Sequence, residues 1–319
     1  MGTLITGGTG FIGAEVVRAL VQRGASSLTV FDINNSTQRL DEVAAAVTIC
    51  KGDLGNFSQV LDAVKASKAD VIYHLGGMLS LPSDRDPQAA FQANAMGTYH
   101  VLEAARIMGV SKVIFSSTIG TYCEGLEREP IDDLSLQRPQ LFYGACKVFG
   151  EHMGSFYRRK YGIDFRCVRY PSIVGPGVRT PGSVQYTSRM IEESANGHPY
   201  TIWVRPDTRV TLLYVKDAAL ATIALAEAPV ENIKMVNYVL GGPSPSAQEL
   251  ADHVRAKLPG AKIDFNVDES IQARLDKSVH PIDDRFARAE WGWRPTYDLE
   301  PMIDDFLTEL SRNPQRYNY

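Results

Sequence analysis

Thr6-Gly7-Gly8-Thr9-Gly10-Phe11-Ile12-Gly13 follows the apolar pair Leu4-Ile5 and precedes a run with helical spacing, so its glycines fall where a strand turns into a helix. In that context Gly7 makes the tight turn, Gly10 lets the backbone approach a pyrophosphate, and Gly13 lets the helix close on the strand. Phe11 and Ile12 in this turn are further cofactor-binding candidates, and the N-terminus of the helix that follows faces the phosphate. About 20 residues on, at the spacing of a dinucleotide fingerprint, Asp32 closes the apolar run Leu28-Thr29-Val30-Phe31. A carboxylate there accepts hydrogen bonds from both hydroxyls of an adenosine ribose and repels a 2′-phosphate. Ile33-Asn34-Asn35 bring no Arg or Lys, so the cofactor expected is NAD rather than NADP.

The chain is long enough for one large domain or two modest ones. At 319 residues and 44% hydrophobic content it can bury roughly three quarters of its unfolded surface. A net charge of -4 gives no basic field for nucleic acid or an anionic membrane. Cys50, Cys123, Cys146 and Cys167 form no CxxC pair, and the six histidines show no metal spacing, so no metal and no disulfide framework are expected. Without a long apolar run or a leader, the expected location is the cytoplasm.

Short β-branched runs alternate with helical segments as far as Tyr170, the pattern of a doubly wound parallel sheet, the Rossmann architecture. Strands are expected at 2–6, 27–31, 48–51, 71–75, 112–116 and 164–169, and helices at 13–22, 57–65, 87–108 and 143–161. Glycine and proline punctuation then begins at Pro171, and Val210-Leu213 with the helix Asp217-Ala228 reads as a return to the main sheet. The domains expected are 1–170 with 209–240 for the dinucleotide, and 171–208 with 241–319 as a discontinuous substrate lobe, the cleft between them being the reaction site.

Tyr143 and Lys147 lie four apart at the start of a helix and share a face. A tyrosine is a poor base at its usual pKa, and a lysine ammonium one turn away, with the positive nicotinamide of NAD, favours the phenolate. Ser116-Ser117-Thr118 ends the fifth strand, where hydroxyls face the ligand crevice. One of them is expected to hold the reacting oxygen while Tyr143 moves the proton.

With these residues in place the chain resembles an extended short-chain dehydrogenase/reductase, the NAD-dependent epimerase/dehydratase family, over essentially its whole length. The likeness is carried by the glycine turn, Gly52-Asp53-Leu54, His74-Leu75-Gly76-Gly77, Asn94-Ala95-Met96-Gly97-Thr98, Phe115-Ser116-Ser117-Thr118, Tyr143 with Lys147, and Tyr170-Pro171-Ser172-Ile173. It implies Thr118 as the catalytic hydroxyl with Ser117 next, and adenine contacts at Asp53 and Leu54. It also implies a backbone track along the cofactor at Leu75, Gly76 and Gly77, support of the catalytic strand by Asn94, and nicotinamide contacts at Tyr170, Ser172 and Ile173. A homodimer through the helices 87–108 and 143–161 is implied as well.

Within that family the chain looks most like short-chain-type L-threonine 3-dehydrogenases, through His74-Leu75-Gly76-Gly77-Met78-Leu79-Ser80, Ser117-Thr118-Ile119-Gly120, Arg169-Tyr170-Pro171 and Glu290-Trp291-Gly292-Trp293. Those enzymes hold the amino acid with a Gly-Thr-Thr-Asp-Tyr run, matched here by Gly182-Ser183-Val184-Gln185-Tyr186. Gln185 replaces the acid, which removes a charge-assisted bond to an ammonium worth about 1.5–3 kcal/mol. The activity implied is NAD-dependent oxidation of a secondary alcohol on a small polar substrate, threonine or a related hydroxy acid, with Ser80, Thr118, Ser183, Gln185 and Tyr186 as substrate contacts. The alternative is a nucleotide-sugar epimerase or dehydratase. Such enzymes place a diphosphate-binding arginine where this chain has Val210 and Thr211; Arg209 is adjacent, but a one-residue shift in a strand turns its side chain to the opposite face, leaving Arg179, Arg189 and Arg205 as substitutes.

Overall fold

The computed structural model describes residues 2–123, 125–126 and 130–317. Its strands are β1 (Gly2–Thr6), β2 (Leu28–Asp32), β3 (Val47–Lys51), β4 (Ala69–His74), β5 (Lys112–Thr118), β6 (Asp164–Tyr170), β7 (Ser172–Val174), β8 (Tyr200–Ile202), β9 (Leu212–Tyr214), β10 (Asn237–Val239) and β11 (Ile263–Phe265). The helices of the first half are α1 (Phe11–Gln22), α2 (Phe57–Ser67), α3 (Ser80–Arg85), α4 (Pro87–Ala90), α5 (Gly97–Met108) and α6 (Phe142–Tyr161). Those of the second are α7 (Tyr186–Ala195), α8 (Val215–Glu227), α9 (Ala247–Lys257), α10 (Glu269–Ser278), α11 (Arg285–Trp291), α12 (Leu299–Arg312) and α13 (Pro314–Tyr317).

Among the described residues seven strands form one sheet in the order β10-β6-β5-β4-β1-β2-β3, all pairs parallel. The order reverses between β1 and β4, and this switch point opens a crevice at the carboxyl ends of the strands. Both faces are packed: Leu4, Phe31, Ile72, Val113 and Phe165 join one core, and Ile5, Val30, Val71, Tyr73 and Ile114 join the other. That alternation is the period of two along each strand, with helices covering both sides. Glycines with positive φ, Gly109 and Gly162, end α5 and α6.

Two departures from the sequence pattern affect the site. The run expected as one helix from Pro87 to Met108 is interrupted by a π-helical turn, Phe91–Met96, between α4 and α5. Val210-Leu213 does not return to the main sheet: β9 pairs with β7 in a separate two-stranded sheet, and β10 makes the return beside β6. A three-residue strand that follows a proline-rich loop has too few ladder bonds to declare its partner in sequence.

A second core, built from Tyr186, Met190, Ile202, Leu250, Val254, Met302 and Phe306, holds the smaller lobe. Residues after 241 do not all belong to it, since Ala287 and Trp293 pack with Val168, Tyr238 and Leu240 against the main sheet. Among the described residues no helix is long and apolar enough to cross a membrane.

Candidate active site

The glycine turn lies at the switch point. Gly7 has φ +69°, and a Cβ there would stand 2.6 Å from Gly76 Cα, so the loop after β1 lies directly on Leu75 and Gly76 after β4, while Gly77 faces Asn94, 2.7 Å from an added Cβ. At Gly13 a Cβ would stand 2.1 Å from the Gly7 carbonyl oxygen, which makes this glycine the contact that closes α1 onto the turn. A Cβ on Gly10 would meet only the Gly7 oxygen, at 3.1 Å, and otherwise enters open space. Gly10 caps α1 without a side-chain bond, leaving the N–H groups of the first turn, at Phe11 and Ile12, facing that space. These features fit a diphosphate.

Asp32 ends β2, and its Oδ2 accepts from the Thr9 amide at 3.1 Å and the Thr9 hydroxyl at 2.7 Å, while Oδ1 accepts from the Asn34 amide at 3.1 Å. The carboxylate is thereby pinned to the glycine turn, with acceptor capacity left on Oδ1 for a ribose hydroxyl. Asp53 caps its own turn by accepting from the Gly55 amide at 2.8 Å. Leu54 wedges against Gly76 and Gly97, whose added Cβ atoms would lie 3.0 and 2.8 Å from it.

His74, at the end of β4, bonds the Thr6 hydroxyl at 2.7 Å and the Thr98 hydroxyl at 3.1 Å. Burial, and then the charge of Lys147, lower it to about 3, so it stays a neutral tie between β1, β4 and α5. Asn94 lies in the π-helical turn and clamps the backbone of one residue on both sides, accepting from the Met78 amide at 2.7 Å and donating to the Met78 carbonyl at 2.9 Å. The support it gives is to the backbone after β4 and not to β5 itself.

Lys147 and Tyr143 share the inner face of α6. The Lys147 ammonium donates to the Ser116 carbonyl at 2.7 Å and lies 4.7 Å from the centre of the Phe115 ring and 5.6 Å from that of Tyr143. Burial draws it down to about 8, opposed by Cys167, Cys146 and Glu151. The Tyr143 phenol is pushed above its ordinary value by burial, the reverse of the lowered value expected from the Tyr-Lys spacing. The Lys147 ammonium, for its part, is held by the Ser116 carbonyl.

Thr118 ends β5 and accepts from the Gly120 amide at 3.0 Å. A Cβ on Gly144 would stand 2.4 Å from the Gly120 oxygen, so the start of α6 presses on the turn that Thr118 caps and brings Thr118 and Tyr143 to one corner. Ser117 points to the other face of the strand, 3% exposed, and donates to Glu151 Oε1 at 2.5 Å. It therefore does not stand in for Thr118. Glu151, one turn beyond Lys147, was not singled out by the sequence, although its spacing on that helix face was the available signal.

Tyr170 pairs in register with Thr118, but its hydroxyl bonds Thr222 on α8, so it serves the interior and not a ligand. Ser172 ties β7 to Thr211 through its amide at 3.2 Å, and Ile173 packs between the cores of the two lobes. Of the substrate candidates, Ser80 opens α3, and the Ser183 carbonyl accepts from the Trp203 indole at 2.9 Å. Gln185 folds back over Gly182 with its amide oxygen buried and unpartnered. Tyr186 is 1% exposed in the core of the smaller lobe, edge-on to Trp203, which makes it a packing residue.

A switch-point cradle, a ribose-directed acid and a tyrosine-lysine pair beside a strand-end hydroxyl define an NAD-dependent oxidoreductase of the extended short-chain type. The model of the NAD dependent epimerase/dehydratase family matches residues 3–241, and the chain belongs to that family. It is 30% identical over 306 residues, 95% of this chain and 81% of the relative, to the mitochondrial L-threonine 3-dehydrogenase of Bos taurus. It is similar to the solved holo form of a GalE-like L-threonine dehydrogenase from Cupriavidus necator, at 28% identity and TM-score 0.90, over 97% of this chain and 100% of that one. It is also similar to the apo form of a monomeric L-threonine 3-dehydrogenase from a metagenome, at 27% identity and TM-score 0.89, over 97% of this chain and 99% of that one.

Proposed function

We propose that the protein oxidises the secondary alcohol of a small polar substrate with NAD, threonine or a related hydroxy acid being the first choice. The observation that carries this reading is the corner where Tyr143, Lys147 and the end of β5 at Thr118 meet beside the glycine cradle. Tyr143 takes the proton of the substrate hydroxyl, and Thr118 holds the same oxygen in line. Lys147, fixed by Ser116, supplies positive charge beneath the phenol. The cofactor, when bound, supplies the hydride acceptor and a second positive charge. Asp32 supports NAD over NADP because a second anion on the ribose would meet its carboxylate.

The likeness to threonine dehydrogenases favours an amino acid, and Gln185 favours a substrate that does not depend on a charged partner at that point. The epimerase reading is weaker because the arginines available for a diphosphate are already taken. Arg209 is paired with Glu249 at 2.6 Å, Arg205 with Asp276 at 2.8 Å, Arg189 with Glu193 at 2.6 Å and Arg179 with Glu192 at 2.6 Å. The test is NADH absorbance with a panel of hydroxy amino acids, hydroxy acids, and free and nucleotide sugars. NADH release with a hydroxy acid or hydroxy amino acid supports the reading; sugar-nucleotide interconversion without it replaces the reading with the epimerase.

We further propose a homodimer through α5 and α6 with the adjoining π-helical turn, supported by Phe91, Phe149 and Phe156, which are 44%, 41% and 40% exposed there. Sedimentation at micromolar concentration checks it, and a single species of 35.2 kDa would remove it.

A further inference from the structure

Arg39 lies beside the cradle, in the 3₁₀ helix Gln38–Ala46 that follows β2 and Asp32. Its guanidinium stands 5.6 Å from the centre of the Phe11 ring, within range of a cation–π contact, and donates to the Gly177 carbonyl at 2.5 Å. Phe11 is the first residue of α1, and Gly177 lies in the loop that follows β7. That loop also meets Phe11 directly, since a Cβ on Gly175 would stand 2.9 Å from the ring. Arg39 thus holds the loop after β7 against the opening turn of the cradle helix.

The C-terminal helix α13 seats this clasp. Gln38 donates to the Gln315 carbonyl at 2.7 Å, and Arg316 pairs with Asp41 at 3.2 Å, with Glu42 at 2.8 Å and with Glu309 of α12 at 3.2 Å. Arg179 donates to the Tyr317 carbonyl at 2.7 Å, and a Cβ on Gly177, where φ is +77°, would stand 2.9 Å from the Tyr317 ring. Arg316 and Tyr317 are 3% and 1% exposed, so α13 is packed into the junction and does not lie loosely over it.

We propose that Arg39 is a positioning residue for NAD, holding the loop after β7 on the cradle so that the nicotinamide half is fixed once the adenosine half is bound. This rests on the reading of the cradle as an NAD site given above. On that reading Asp32 takes the adenosine end and Ser172 and Ile173 of β7 take the nicotinamide end, so the dinucleotide passes the Phe11 edge between them. A diphosphate at that edge is attracted both by the N-terminus of α1 and by the Arg39 guanidinium.

The test measures the affinity of the full chain for NAD and for AMP by calorimetry, in the wild type, Arg39→Met and Arg39→Gln. AMP reaches Asp32 but ends at its single phosphate, short of β7. Removing the guanidinium is expected to raise the Kd of NAD about tenfold and to leave that of AMP within about twofold. A merely structural role loosens the helix that follows Asp32 and weakens AMP as much as NAD; that result overturns the proposal, and so does an unchanged NAD affinity in a folded variant. Failure of both variants to fold also overturns it, because the arginine then serves the fold as a whole. A wild type that binds neither nucleotide removes the NAD reading and the role of Arg39 with it. Tight NAD binding by the wild type and the variants alike removes only Arg39.

Discussion

Gly7, after β1, and Gly182, in the loop before α7, both occupy turns, yet a methyl group added to each meets different matter. At Gly7 it strikes the backbone of Gly76 at 2.6 Å with φ already positive, and at Gly182 it strikes the end of the Gln185 side chain at 1.7 Å. Backbone cannot give way without moving two strands, whereas a glutamine turns about single bonds. The cofactor side of the protein is a rigid backbone surface that few residue types can build. The loop at Gly182, where substrate contact is proposed, is shaped by side chains that can be exchanged without disturbing the sheet.

If that contrast holds, the largest loss comes from the chemistry set on the rigid side. Tyr143→Phe is expected to lower kcat by about 10²–10⁴-fold with NAD affinity nearly unchanged; stopped-flow turnover and cofactor titration on one preparation check it, and wild-type turnover would break it. Next is Gly7→Ala, expected to cost at least about 3 kcal/mol in urea unfolding, from left-handed strain plus a backbone clash. It should also weaken NAD binding at least tenfold. A stable variant that binds NAD normally would show that the turn is softer than described.

His74 gives a pH measure of the same rigidity. Its native value of about 3 lies below the ordinary 6.5, so the unfolded chain takes up a proton that the folded chain refuses. Stability is therefore lost as pH falls from about 6.5 towards 3, by about 1.4 kcal/mol per pH unit over that window. In His74→Gln that portion of the slope should disappear from unfolding curves collected between pH 7 and pH 4.

On the substrate side the effects are smaller and fall on selectivity. Gln185→Asp is expected to raise kcat/KM for a hydroxy amino acid over the matching hydroxy acid by about tenfold, and an unchanged ratio would remove Gln185 from the site. Gly182→Ala should cost less than about 1 kcal/mol in stability and leave NAD affinity alone, altering KM only.

The same contrast explains what could be read in advance. The glycine turn, Asp32 and the Tyr143-Lys147 pair were legible because a turn with φ +69°, a strand end and a four-residue helical spacing each admit few residue types. Ser117 and Thr118 look equivalent in a list of hydroxyls, and only the strand's alternation sends one to Glu151 and the other to the corner at Tyr143. Tyr170 and Tyr186 carried motif-like positions, yet both rings are interior, because an aromatic at the boundary of a cleft and a core shows the same letter in either role. Short β7 and β9 could not announce each other, since three residues specify no register.

The widened turn at Phe91–Met96 joins α4 to α5 without breaking the chain of helical residues. A π-helical turn holds more residues than an α turn over the same rise, so it acts as a phase setting between the two segments. Returning it to plain α geometry with its residue count unchanged would rotate α4 by about 100° about the axis relative to α5. Asn94 would then aim its amide away from Met78, and the backbone that borders the cradle after β4 would lose its clamp. Length in this stretch is thus read by the molecule as angle.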